Sequence, residues 1–278
     1  MGERGAQRVP GARARGRGRP TPGPPGPRGP QDAFAARSHA KAAQAQKEGK
    51  FQAEIVPIRT RVKDKDGKAH GVTVTEDDGI RVGTTAASLS KLRPAFREGG
   101  TTTAGNSSQV TDGAAAVMLM TRGEAVRRGV PVLGVFRSAA VVGVDPAVMG
   151  IGPAVAIPAA VGQAGIRVED VDVYEINEAF ASQATYCVEH LGIDAARVNP
   201  NGGAIAIGHP LGCTGARQVA TLLHEMARRG RGARFGVVSM CIGSGMGMAA
   251  VFEAGQATDP VSNARPSSHH AHLSRDAL

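Results

Sequence analysis

The sequence of 278 residues contains no tryptophan, 3% aromatic residues and only three cysteines. Cys187, Cys213 and Cys241 form no C-x-x-C pair, which argues against a disulfide framework or a zinc cluster of the usual ligand spacing. This cysteine usage favours a reducing, intracellular setting. No unbroken apolar run reaches the ~18 to 20 residues of a membrane span, so we expect no membrane partner. The chain is nevertheless 41% hydrophobic, enough for one large or two ordinary domains.

Positive charge is concentrated at the N-terminus. Residues 1–30 hold seven arginines and one acidic residue, Glu3, and carry +6 of the formal net charge of +9. The same stretch has eight glycines and seven prolines, a composition that predicts a disordered tail. Its guanidinium groups could contact nucleic-acid phosphates. Because no aromatic residue for base stacking precedes Phe34, the favoured interpretation is a tail without a nucleic-acid partner.

A second low-complexity tail is predicted for residues 256–278. His269, His270 and His272 cluster there and could bind a metal, but an exposed flexible tail is the favoured interpretation. We therefore expect no metal site.

Between the tails, predicted strands and helices alternate. Helices are expected at 32–48, 122–128, 153–163, 179–191 and 215–229, and strands at 51–58, 72–74, 114–120, 132–144, 171–176, 235–240 and 248–253. A charged turn is expected at 63–67. This alternation predicts an α/β layered fold with helices packed on a largely buried sheet.

Three loops hold the candidate reactive side chains. They are NEAFA at 177–181, NGGAIAIGHPLGCTG at 201–215 and CIGSGMGM at 241–248. Since α/β proteins place their sites at one end of the sheet, we expect the three loops to meet there.

His209 lies among glycines that let the backbone turn sharply and approach a ligand. An imidazole fixed there could act as an acid or a base near neutral pH. The loop lacks both G-K-[ST] and the G-x-G-x-x-G spacing, which argues against nucleotide phosphates. On its own, His209 would be interpreted as a packed or solvent-exposed histidine, but the Cys241 loop favours a functional role.

Cys241 ends an apolar strand and enters a Gly-Ser-Gly turn whose free N–H groups could stabilise a thiolate or an oxyanion. A lone cysteine can equally be a small inert hydrophobe, and Cys187 fits that description. The role of Cys213 stays open, because this cysteine shares the glycine loop with His209. Asn177 could simply cap a helix, and its spacing does not decide between capping and function.

Taken in order, the three loops resemble the C-terminal signature of the thiolase family, in particular its peroxisomal branch. The segments TTAGNSSQVTDGAAA and VVGVDPAVMGIGPA add to the resemblance, which covers residues 31–253. It implies a thiolase-like layered αβα fold that comprises the C-terminal half plus the end of the N-terminal half and loop region. The latter would span 31–145 and the C-terminal domain 146–255, between the tails at 1–30 and 256–278.

The resemblance also implies catalytic roles. His209 would activate the nucleophilic cysteine and help to bind the thioester oxygen. Cys241 would be the acid/base cysteine that moves the proton at the substrate α-carbon or on the CoA thiol. Asn177 would hold a water that forms one oxyanion hole with His209, and the N–H of Gly243 would contribute to the other.

The remaining implied residues bind substrate. Ser138 would contact the pantetheine arm of CoA, while Met149 and Phe180 would line the acyl pocket. The implied reaction is CoA-dependent thiolytic cleavage of 3-ketoacyl-CoA to acetyl-CoA and a shortened acyl-CoA in fatty-acid β-oxidation. CoA is a substrate and no separate cofactor is expected. The implied assembly is a homodimer or a dimer with a thiolase subunit.

One departure from the family concerns the nucleophilic cysteine, which belongs to the first half of a thiolase. Residues 1–30 contain no cysteine, and Cys187, Cys213 and Cys241 all match C-terminal positions. Two hypotheses follow: an acyltransferase that is incomplete as this chain, or an inactive thiolase fragment that binds and modulates full-length subunits.

The resemblance implies a peroxisomal location. No N-terminal targeting signal is recognised, and the final residues, Asp276, Ala277 and Leu278, are not S-K-L. Without such a signal the alternative is the cytoplasm.

Overall fold

The structure, a computed structural model, describes residues 28–255. Both predicted tails, apart from residues 28–30, and the histidine cluster at 269–272 lie outside the described residues. Helix α1 already begins at Arg28, so the prediction of a tail as far as residue 30 is wrong for its last three residues. The Arg28 side chain bonds Asp32 and the carbonyls of Leu89 and Leu92. Pro30 is tolerated because it lies in the first helical turn.

The helices and strands follow in this order along the described chain: α1 (Arg28–Lys47), β1 (Ile58–Lys63), β2 (Ala69–Val74), α2 (Ala86–Leu89), α3 (Arg122–Arg128), β3 (Gly134–Gly143), α4 (Gly152–Gln163), β4 (Val173–Ile176), α5 (Ala181–Leu191), α6 (Ala204–Ile207), α7 (Thr214–Arg229), β5 (Phe235–Ile242) and β6 (Met246–Ala254).

A four-stranded sheet forms the centre, with strand order β3-β6-β5-β4. Strand β4 runs parallel to β5, and the other neighbouring strands are antiparallel. Because side chains alternate along a strand, Val237 joins a core with α4, whereas Val238 joins a core with α7. The helices therefore cover both faces of the sheet, and the expected α/β layered fold is confirmed.

Helix α4 is part of an unusually apolar segment. Within residues 28–255, Pro146–Gln163 is the single stretch that is long and apolar enough to cross a membrane by length and composition. Ile157 and Ala160 of α4 are fully buried and cluster with residues of the sheet. This packing accounts for the apolar composition of the helix.

Two predicted strands are wrong. Residues 51–58 contain a 3-10 turn, Lys50–Ala53, because Gly49 in the left-handed region ends α1 and redirects the chain so that Phe51 is buried. Residues 114–120 form no regular structure and are mostly exposed, because they have no neighbouring strand among the described residues. Apolar composition alone cannot supply the hydrogen-bond partners that a strand requires.

The predicted charged turn is confirmed between β1 and β2, where the N–H of Gly67 donates to the Asp64 carbonyl (3.0 Å). The predicted domain boundary at 145/146 falls after β3. In the structure β3 pairs with β6 along nearly its whole length, so β3 belongs to the central sheet rather than to the preceding segment.

Candidate active site

The NEAFA and CIGSGMGM loops emerge at the same end of the central sheet. Asn177 directly follows β4, and its N–H donates to the carbonyl of Ser239 on β5 (2.9 Å). Cys241 lies two residues further along β5, opposite Gly247 of β6. The parallel pairing of β4 and β5 thus brings the two motifs together.

The glycine loop delivers His209 to this end of the sheet. Its imidazole Nε2 lies 3.3 Å from the Asn177 side-chain nitrogen, and Nδ1 lies 2.7 Å from the Thr214 hydroxyl oxygen. The Thr214 hydroxyl donates to the Pro210 carbonyl (3.0 Å), so it accepts the proton of His209 Nδ1. Nε2 is then left unprotonated and accepts from the Asn177 amide. These bonds fix both the ring orientation and the tautomer.

His209 is held in its neutral form. Partial burial lowers the pKa of the imidazole, and the nearby guanidinium of Arg217 lowers it further. A neutral ring with an unprotonated Nε2 is the form that can accept a proton at neutral pH.

The pKa of Cys241 changes in the opposite direction to that of His209, because burial raises the pKa of its thiol. The side chain is therefore protonated at neutral pH and can donate a proton. In the described part of the chain, no hydrogen bond joins Cys241 to His209. His209 is linked to the strand of Cys241 through Asn177, whose side chain bonds the imidazole and whose N–H donates to the Ser239 carbonyl. Gly243 follows in the exposed turn between β5 and β6, where its φ of 58° suits glycine.

Phe180 belongs to the NEAFA loop, and Met149 lies on a turn that packs against β5 and β6. Met149 is half-buried in the 3-10 turn Pro146–Ile151, which packs against α5, β5 and β6. Phe180 lies three residues after Asn177 and meets the ring of Phe96 edge-to-face at 6.0 Å. Both positions are compatible with the apolar lining expected of them.

Ser138 does not join the group. It is buried on β3 under α4, and its hydroxyl donates to the Ala160 carbonyl (2.7 Å). The structure therefore gives the hydroxyl proton a partner within the fold. The contact of Ser138 with the pantetheine arm stays a prediction.

The other two cysteines have raised thiol pKa values. Cys187 is fully buried in α5, and burial raises its pKa to about 12, which agrees with an inert side chain. Cys213 precedes α7, and burial also raises its pKa. Neither environment favours the thiolate that a nucleophile requires.

Several supporting residues escaped the sequence analysis. Buried Glu178 accepts hydrogen bonds from the Ser38 hydroxyl (2.6 Å), the Asn199 amide (2.7 Å) and the Ile205 N–H (3.2 Å). It thereby ties α1 to the glycine loop. The sequence does signal this residue, since a glutamate inside an otherwise small and apolar motif requires buried partners.

Gln109 supports the same loop from the segment TTAGNSSQVTDGAAA. Its amide nitrogen lies within 3.1 Å of the carbonyls of Gly79, Ile205 and Ala206. The backbone carbonyl of Gln109 accepts a hydrogen bond from the N–H of His209 (2.9 Å). The backbone of His209 is therefore fixed as firmly as its ring.

The fold and these motifs place the chain in the thiolase family. The family model described as "Thiolase, C-terminal domain" matches residues 130–254, and "Thiolase, N-terminal domain" matches residues 26–123. The chain belongs to the thiolase family.

Two curated relatives illustrate the similarity. The chain is 62% identical over 248 residues to 3-ketoacyl CoA thiolase 1, peroxisomal, of Petunia hybrida, covering 89% of this chain and 54% of the relative. It is 66% identical over 223 residues to 3-ketoacyl-CoA thiolase B, peroxisomal, of Rattus norvegicus, covering 80% of this chain and 52% of the relative. The chain thus spans about half the length of the curated relatives it matches.

Two solved structures are also similar to this chain. The dimeric peroxisomal thiolase of Saccharomyces cerevisiae superposes with a TM-score of 0.72 at 52% identity, over 82% of this chain and 55% of that one. An acetyl-CoA acetyltransferase of Bacillus anthracis gives a TM-score of 0.76 at 42% identity, over 82% and 56%.

Proposed function

We propose that this chain carries the acid/base and oxyanion-binding part of a thiolase-type acyltransferase. The reaction is the CoA-dependent cleavage of a 3-ketoacyl-CoA to acetyl-CoA and a shortened acyl-CoA in fatty-acid β-oxidation. The observation that carries the proposal is the hydrogen-bonded group Asn177, His209 and Thr214, which lies beside the strand of Cys241. Names of relatives at 62–66% identity support the choice of substrate.

Thiolysis requires a nucleophilic attack and two proton transfers. A thiolate attacks the keto carbon, an acid protonates the carbanion released when the carbon–carbon bond breaks, and a base deprotonates the incoming CoA. The lowered pKa of His209 suits it to activate a thiol. The raised pKa of Cys241 suits it to protonate the departing carbanion, after which its thiolate can deprotonate CoA.

Charge that develops on the substrate oxygens requires donors at fixed positions. Asn177 would hold a water that forms one oxyanion hole with His209, whose Nε2 can donate once it has taken the proton of the attacking thiol, and the N–H of Gly243 would serve the other. Met149 and Phe180 would contact the acyl chain. CoA enters as a substrate, so the proposal includes no separate cofactor.

The assembly and the cellular location that we propose for this chain come from the names of similar proteins. A dimer is proposed because a similar solved structure is named a dimeric peroxisomal thiolase, and the partner is a second copy or another thiolase subunit. A peroxisomal location is proposed from the names of the relatives.

A second candidate function rests on the cysteines. All three match C-terminal positions of the family, and all three thiols have raised pKa values. The candidate is a non-catalytic thiolase chain that binds full-length thiolase subunits and modulates them.

The test is a thiolysis assay on the purified 278-residue chain with a 3-ketoacyl-CoA and free CoA, beside the His209→Ala variant. Calorimetry with CoA and circular dichroism report binding and folding. Turnover that His209→Ala abolishes supports the acyltransferase and assigns the nucleophile to one of the cysteines of this chain. A folded chain that neither binds CoA nor turns over contradicts the proposal.

Binding of CoA without turnover supports the second candidate. That candidate then requires co-purification with an active thiolase subunit and a change in the rate of that subunit. If the chain does neither, the second candidate is wrong.

A further inference from the structure

Two side-chain bridges connect β4 with α7 next to the candidate active site. The first is His209, which lies between Asn177 after β4 and Thr214 at the start of α7. The second is an ion pair in which the Arg217 guanidinium donates to the Glu175 carboxylate (2.9 Å). Glu175 precedes Asn177 by two residues and Arg217 follows Thr214 by three, so the two bridges are neighbours on the same pair of elements.

Helix α7 turns a polar face toward these bridges. Thr214, Arg217, Gln218 and Thr221 follow the i, i+3, i+4, i+7 spacing of one helix face. Thr214, Gln218 and Thr221 are almost fully buried, and Gln218 donates to the Glu175 carbonyl (2.9 Å). An apolar face would pack on the sheet at lower cost, because a buried ion pair seldom adds net stability.

Glu175 itself is fully buried, and its Oε1 has no hydrogen-bond partner within the described chain. The ion pair is thus incompletely satisfied. A buried polar atom without a partner is costly, so its presence requires an explanation, which points to a role in the neighbouring site.

We propose that Arg217, held by Glu175, is a positioning residue for His209. It fixes the start of α7 against the end of β4, where the imidazole is bound, and it places one positive charge beside the ring. The inference deepens the proposed function, on which it rests.

Among the described residues, the Arg217 charge lowers the pKa of the carboxyl groups of Glu54, Asp77 and Glu175, and that of the Cys213 thiol, against the larger effect of burial. Arg217 is the charged group that acts on His209, where it lowers the pKa after the larger effect of burial. A positive charge at this point opposes protonation of the imidazole and so preserves the base.

The experiment measures the pKa of His209 by NMR of the ring nitrogens in the full chain. Arg217→Gln removes the charge, and the pKa of His209 is expected to rise toward 6.5. Arg217→Lys keeps the charge and is expected to keep the pKa low. Arg197→Gln is the matched control, because Arg197 donates to the carbonyls of Glu169 and Val171 and is expected to leave His209 unchanged.

Arg217→Gln leaves a buried carboxylate unpaired, so the double variant Glu175→Gln/Arg217→Gln is measured in parallel. It replaces the ion pair by two amides of similar size, and the same rise is expected. An unchanged His209 pKa in either folded variant overturns the proposal. Because the readout is the ring of His209 rather than turnover, the result is independent of whether the chain performs thiolysis.

Discussion

The backbone of Gly203 runs directly against the carboxyl group of Glu178. The Gly203 N–H donates to the Ser38 hydroxyl (3.1 Å), and that hydroxyl donates to Glu178 (2.6 Å). A β-carbon at position 203 would overlap the carboxyl carbon and both carboxyl oxygens of Glu178. The φ of Gly203 is −139°, a backbone conformation that other residues also adopt. Glycine is therefore required here because the carboxyl group of Glu178 leaves no room for a side chain, and not because of its backbone conformation.

The first prediction is that Gly203→Ala destabilises the protein by about 1–3 kcal/mol, the usual cost of overpacking. Urea unfolding measures the change. Gly212→Ala in the same loop is the control, because Gly212 is exposed and a β-carbon there meets nothing within 4 Å. Equal stabilities of the two variants would show that Glu178 can move aside.

The second prediction concerns the tautomer of His209. Thr214→Val keeps the side-chain shape but removes the acceptor of the Nδ1 proton, so the proton is expected to move to Nε2. The Asn177 Oδ1, buried without a partner in the described chain, could then accept it after the amide rotates. Ring-nitrogen chemical shifts distinguish the two tautomers. Thr214→Ser keeps the hydroxyl and should resemble the wild type, and an unchanged tautomer in Thr214→Val would contradict the assigned bonds.

The sequence predicted the parts of the fold that are set locally. Helix Thr214–Arg229 has an apolar stripe and a glycine at its C-terminal end, so periodicity and turn residues locate it within one residue of the prediction. The strand expected at 114–120 failed because pairing depends on a neighbouring strand, which composition does not report.

The candidate site could be predicted only in part. The loops at the ends of β4 and β5 indicated Asn177 and Cys241, and the glycine loop indicated His209. The topology brings these motifs together. Glu175 and Arg217 lie 42 residues apart, so their pairing requires knowledge of how α7 crosses β4. Ser138 shows that a motif residue can also have a partner in the core, because its hydroxyl donates to the Ala160 carbonyl.

The third prediction separates these two interpretations of Ser138. Ser138→Ala removes a buried hydrogen bond to the Ala160 carbonyl and should cost about 1 kcal/mol of unfolding free energy. Affinity for CoA, measured by calorimetry, should not change. A loss of CoA affinity at unchanged stability would restore the contact with the pantetheine arm that the sequence implied.

The fourth prediction is a pH dependence of stability from Glu175. Burial raises the pKa of this carboxyl from 4.5 to about 7, although the attraction of Arg217 opposes the shift. The folded protein thus holds the proton more tightly than the unfolded chain, so the stabilisation is complete below pH 4.5 and is lost as the pH rises through about 7. At 1.36 kcal/mol per pKa unit, the loss is about 3 kcal/mol.

Urea unfolding measures this dependence. The plot of unfolding free energy against pH should be flatter for Glu175→Gln than for the wild type. Glu169→Gln alters an exposed glutamate, and its plot should run parallel to that of the wild type. Parallel curves for Glu175→Gln and the wild type would mean that Glu175 stays ionised throughout, and that the ion pair with Arg217 outweighs its burial.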